Sequence, residues 1–157
     1  MNNNELTPRH AARVVLLDEI GQVAIIYVTK SNYYKIPGGG VEEGEDFEAA
    51  ALRETVEESG CNCEIIQTLG EIETDLPDWN LHDISHGFIA RVVGEKSETN
   101  FDDYEQTRGF SLEWAPSLAQ AIQTFESNND VLEADAAKLQ ARDLAFLKRA
   151  SDYFTQK

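Results

Sequence analysis

Two apolar runs rich in β-branched residues, at 13–20 and 22–30, flank Gly21 and predict a pair of strands joined by a tight turn. Ser31-Asn32-Tyr33-Tyr34 leads into a short strand ending at Ile36-Pro37, and Gly38-Gly39-Gly40 breaks the pattern and reads as a loop. Residues 46–59 are rich in Ala, Glu and Leu with no Gly or Pro. Asp46 stands at the N-cap and Gly60 at the stop, which predicts a helix. Strands are expected at 63–73 and 86–93, around an irregular stretch at 74–83 that holds Pro77, Trp79 and Asn80. The acidic segment 94–109 reads as a loop, and 110–114 as another short strand. Two helices follow. One spans 116–127, with Leu118, Ile122 and Phe125 at i, i+4 and i+7; the other spans 131–154, with Leu132, Ala136, Leu139, Leu144 and Leu147 among its apolar positions. The order β-β-β-α-β-β-β-α-α predicts a mixed sheet flanked by helices, an α+β or α/β sandwich. A single domain over 1–157 is expected, with 1–10 as a flexible N-terminus.

An apolar fraction of 41% is enough for a globular core. No run approaches the roughly 18 apolar residues of a membrane span, and MNNNELTPRH lacks the apolar core of a secretory signal, so a soluble cytoplasmic protein with no membrane partner is expected. Cys61 and Cys63 lie two apart, where strand alternation points both to one face and disfavours an intrachain disulfide. They lack the further Cys or His that a tetrahedral zinc site needs. The net charge of −16 argues against binding a nucleic-acid polymer, whose affinity comes from clustered Lys and Arg. It leaves room for a small anionic substrate bridged to carboxylates by a cation.

The helix at 46–59 breaks local rules. Glu54, Glu57 and Glu58 share one face within an arc of about 100°. Like charges at i,i+3 and i,i+4 destabilise a helix, and the macrodipole disfavours anions in the last turn. Ala49, Leu52 and Val56 form the opposite stripe, which is expected to pack. The compensation that fits is a hard divalent cation, Mg²⁺ or Mn²⁺, which prefers carboxylate oxygens. A glycine loop allows close approach of backbone to ligand.

Gly39, five residues, Glu45, seven residues and then Arg53-Glu54-Thr55-Val56-Glu57-Glu58-Ser59-Gly60-Cys61 resemble the signature box of the Nudix hydrolases. All seven fixed positions of that 23-residue pattern are matched, and Thr55 and Cys61 replace bulky aliphatic residues at two others. The resemblance implies a small MutT-like member with a Nudix-type α/β/α sandwich and a metal-binding loop and helix. By the same resemblance, Glu54, Glu57, Glu58 and the carbonyl of Gly38 would ligate Mg²⁺ or Mn²⁺, Arg53 would orient the carboxylates, and Glu45 would hold loop to helix.

The implied reaction is attack of activated water on phosphorus, hydrolysing a phosphoanhydride bond in a small nucleoside di- or triphosphate derivative such as an oxidised nucleotide. Nucleotide-sugar, ADP-ribose and dinucleoside-polyphosphate substrates are the alternatives, followed by a non-catalytic nucleotide-binding module. A monomer or homodimer is expected. The acidic loop offers Glu95, Glu98, Asp102, Asp103 and Glu105 as general base, and Glu105 is preferred because it directly precedes a strand. For substrate binding, Tyr33, Tyr34, Trp79 and Asn80 are expected to stack on or hydrogen-bond a base, and Lys30 and Lys35 to meet phosphate. His82 and His86 read as structural polar residues, because hard cations prefer oxygen.

Overall fold

The structure, a computed structural model, describes residues 5–156. Strand β1 (Thr7–Leu17) runs through the middle of a seven-stranded mixed sheet. On one side it meets β2 (Val23–Val28), which in turn pairs with β3 (Tyr33–Lys35), and β1 also pairs with β4 (Gly38–Gly40). Helix α1 (Phe47–Ser59) follows, then β5 (Asn62–Leu76), a single 3₁₀ turn at Pro77–Trp79, and β6 (Leu81–Val93). The chain closes with α2 (Asp103–Arg108), β7 (Phe110–Ala115), α3 (Leu118–Ser127) and α4 (Ala134–Thr155). The path across the sheet is β3-β2-β1-β6-β5, with β7 on β2. β1 and β6 run parallel, in register from Thr7 opposite Leu81 to Leu17 opposite Arg91.

Because both faces of β1 are covered, its apolar run is continuous rather than alternating. Ala12, Val14 and Leu16 pack with Phe88 and Ala90 against Ala50 and Ala51 of α1. Val15 and Leu17 pack with Ile25 and Ile89 against Phe125 of α3 and Phe146 and Leu147 of α4. The expected α/β/α sandwich is the fold.

Several boundaries differ from the sequence reading. The N-terminal tail was expected to be flexible through residue 10, but β1 begins at Thr7; residues 1–4 lie outside the described residues. Thr7–His10 show no apolar signal because their side chains are exposed, and backbone pairing with Leu81 to Ile84 carries this segment. Gly38–Gly40 is a short strand antiparallel to Ala11–Arg13. The irregular stretch shrinks to the turn between β5 and β6, with Asn80 in the left-handed conformation at its end. The acidic loop contains α2, fixed by a reciprocal capping box in which the Asp102 side chain and the Glu105 side chain each accept the other's backbone N–H.

Helix α1 is turned the other way round from its apolar stripe. Leu52 and Val56 are exposed, whereas Glu54 and Glu58 are buried with Ala50, Ala51 and Thr55. Small residues let the helix sit close to the sheet, and the buried carboxylates find partners beneath it.

Candidate functional site

Helix α1, the glycine strand β4 and helix α2 converge on a cavity of about 430 Å³. Glu58 is 1% exposed, and its Oε1 accepts hydrogen bonds from Lys35 Nζ at 2.8 Å and from the Gly38 N–H at 3.0 Å. Glu54 lies directly over Gly39, where a Cβ would stand 2.6 Å from its Oε2 and push the carboxylate aside. Arg53 clamps loop to helix: Nε and Nη2 donate to the two oxygens of Glu45 at 2.8 and 2.9 Å, and Nη2 also donates to the Gly40 carbonyl at 3.0 Å. Its Nη1 donates to Glu54 Oε1 at 2.7 Å. The bidentate pairing holds Glu45 down at about 2.

Glu105, on α2, brings a third carboxylate. One oxygen each of Glu54, Glu58 and Glu105 lies within 4.8 Å of the others. Burial, then a hydrogen bond shared with Glu58 and repulsion from its charge, raise the Glu105 carboxyl to about 8. Burial and the neighbouring Glu58 push Glu54 up as well. In the cation-free protein these three groups are therefore balanced by Lys35, by a share of Arg53 and by a proton.

This donor set suits a hard divalent cation, being buried, convergent and made of oxygen. Lys35 provides the internal test. Its ammonium is 5% exposed and donates to both Glu58 Oε1 and the Gly38 carbonyl, the latter at 3.3 Å. A positive charge already sits on two of the oxygens that the box resemblance assigns to the metal. Glu57, the third box carboxylate, stands outside the trio on a more exposed side, 3.6 Å from Arg53 Nη1.

Of the residues expected to bind substrate, Tyr33, Lys35 and Trp79 line the cavity. Tyr34 and Asn80 do not. Strand alternation turns Tyr34 to the opposite face from Tyr33 and Lys35, where it packs against Tyr27 and Phe125. Asn80 instead ends the turn, its carbonyl accepting from the Thr7 N–H. His82 bridges Asp75 and Glu73 on the exposed β5–β6 surface, and His86 stacks on Phe47 with ring centroids 3.6 Å apart.

Sequence reasoning missed Arg9, Arg13 and Arg142, which also line the cavity. Arg13 had a readable signal, a cation opening an apolar run. Arg142 had none, since its helix face is defined only by packing. It is held by two acids, its Nη1 donating to Asp83 Oδ2 at 3.1 Å and its Nε to Asp143 Oδ1 at 2.8 Å. Leu76, Trp79, Leu81 and Leu139, which pack in one apolar cluster, also line the cavity.

The family model of the NUDIX domain matches residues 7–132, which includes every element from β1 to the end of α3. The chain belongs to the Nudix family. The RNA pyrophosphohydrolase of Dinoroseobacter shibae is 37% identical over 86 residues, 54% of this chain and 51% of that protein. The ADP-ribose pyrophosphatase of Methanocaldococcus jannaschii is 36% identical over 94 residues, 57% of this chain and 55% of that one. The chain thus spans about half the length of these two curated Nudix relatives. Among solved structures, the MutT protein of Methanosarcina mazei Go1 superposes with a TM-score of 0.64 over 98% of this chain and 99% of that one, at 17% identity. That likeness is one of fold.

Proposed function

We propose that the protein is a divalent-cation-dependent pyrophosphohydrolase acting on a nucleoside-diphosphate-type substrate. The observation that carries this reading is the convergence of Glu54, Glu58 and Glu105 within 4.8 Å at a glycine strand, in a cavity also lined by an apolar cluster. Glu54, Glu57, Glu58 and the Gly38 carbonyl would hold Mg²⁺ or Mn²⁺. Once bound, the cation would polarise the phosphoryl oxygens and lower the pKa of water.

The chain's own residues supply the rest. Arg53, fixed by Glu45, keeps the Glu54 carboxylate turned to the loop. Glu105 is anchored to the Asp102 N–H, and once the proton it shares with Glu58 is lost its carboxylate would accept one from attacking water. Lys35, beside Glu58 in the same cavity, would meet the phosphate. Trp79 and its apolar neighbours accept a base.

The comparison with RNA and ADP-ribose pyrophosphatases supports a phosphoanhydride as the bond cleaved, and names two different substrates. A release assay over nucleoside triphosphates, oxidised nucleotides, ADP-ribose, nucleotide sugars and a 5′-triphosphorylated RNA oligonucleotide, each with Mg²⁺ and Mn²⁺, tests the proposal. Turnover of at least one that stops in excess chelator is expected. Full turnover in chelator refutes it.

A further inference from the structure

Three glycines in a row underlie three charged side chains. A Cβ on Gly38 would stand 2.9 Å from Arg13 Cδ, one on Gly39 would meet the Glu54 carboxylate, and one on Gly40 would stand 3.1 Å from Arg9 Nη2. Strand register explains the row. Arg9, Ala11 and Arg13 alternate onto one face of β1, and Ala11, Ala12 and Arg13 pair with Gly40, Gly39 and Gly38. Arg9 and Arg13 thereby line the same cavity as the Glu54 carboxylate that the cation site uses.

Neither guanidinium is matched by the protein. Arg13 is 4% exposed, and among the described residues its only hydrogen bond runs from Nε to Ser85 Oγ at 3.3 Å. The neighbouring acids Asp83 and Asp143 are hydrogen-bonded to Arg142, and that like charge, after burial itself, disfavours the charged form of Arg13. Arg9 makes no hydrogen bond or ion pair among the described residues, and its charge adds to the repulsion on Arg13. Arg13 faces Asp83 and Asp143 in charge but has hydrogen-bond donors to spare, and Arg9 has no ion pair among the described residues; both line one cavity. A buried guanidinium with donors unused is costly unless a ligand completes it. Its planar fork suits the oxygens of a phosphate.

We infer that Arg9 and Arg13 form a phosphate-binding subsite that grips substrate oxygens not taken by the cation. The base of such a substrate would then face Trp79 and Leu81, whose apolar cluster lines the same cavity. The inference rests on the pyrophosphohydrolase reading for its substrate. The subsite itself can be tested without turnover.

The probe is methylenediphosphonate, a non-hydrolysable pyrophosphate analogue with no base, titrated calorimetrically into the whole protein in Mg²⁺. Arg9→Gln, at an exposed position that leaves the fold alone, is expected to weaken binding by about tenfold, as loss of a charge-assisted hydrogen bond does. Arg13→Gln should weaken it more, and Arg13→Lys should recover part of the loss. On any nucleotide that is turned over, Arg9→Gln should raise KM by a similar factor and leave kcat within about threefold. Unchanged diphosphonate affinity in both Gln variants overturns the subsite, as does a loss confined to kcat. Arginine-dependent diphosphonate binding in a protein that hydrolyses nothing in the release assay keeps the subsite and rejects the enzymatic reading.

Discussion

Two groups of buried charge lie on opposite faces of the sheet, and they are balanced differently. On the α4 face, Asp83 and Asp143 meet Arg142 and Arg13, two anions against two cations, and a second oxygen of Asp143 also accepts the Ile36 N–H at 2.9 Å. That group ties α4 to β6 and to the strand end before the glycines. Toward α1, three carboxylates face one ammonium and a guanidinium shared with Glu45. Charge neutralised inside the fold is architecture. Charge left for a proton or a cation to neutralise is where chemistry can be done. Arg13 belongs to both descriptions, balanced in charge but not in hydrogen bonds.

Breaking the architectural group should have the largest effect. Asp143→Asn leaves Arg142 buried with one partner fewer, and urea denaturation should show a loss of about 3–5 kcal/mol. A loss under 1 kcal/mol would mean that the α4 group is not structural. On the other face, Glu58→Gln should lower kcat by at least about 10²-fold, the scale of removing one major transition-state stabiliser. The helix alone predicts that this change relieves repulsion and stabilises the metal-free protein. The structure predicts the reverse, because Lys35 would lose its buried partner, and a melting curve in chelator decides between them.

Lys35→Met sharpens the comparison further. If the ammonium stands in for a cation, the variant should lose about 5 °C of Tm in chelator and recover most of it in Mn²⁺. An equal loss in both buffers would show that Lys35 stays on Glu58 when the site is loaded.

The smallest effect is a pH dependence. The Glu105 carboxyl is raised to about 8 in the folded protein, so the native state holds a proton that the unfolded chain has lost. Stability then falls as pH rises from the ordinary carboxylate range through about 8. Tm in chelator should decline between about pH 5 and 8, and Glu105→Gln should flatten that decline. A parallel decline in the variant would place the shared proton elsewhere.

The box from Gly39 to Cys61 was legible in sequence because its spacing is local, set by one turn and one helix. The apolar runs likewise showed which segments are strands and helices, and from their order the sandwich. What the chain alone did not disclose is long-range: the choice of Glu54 and Glu58 over Leu52 and Val56 as the buried side of α1, the six-residue polar helix that carries Glu105 where a loop was expected, and the gathering of Arg9, Arg13 and Arg142 from two distant segments. Periodicity reports which residues avoid water. A buried charge runs against that signal, and its partner is fixed by strand register and helix packing across the fold, so tertiary structure alone decided where these charges meet.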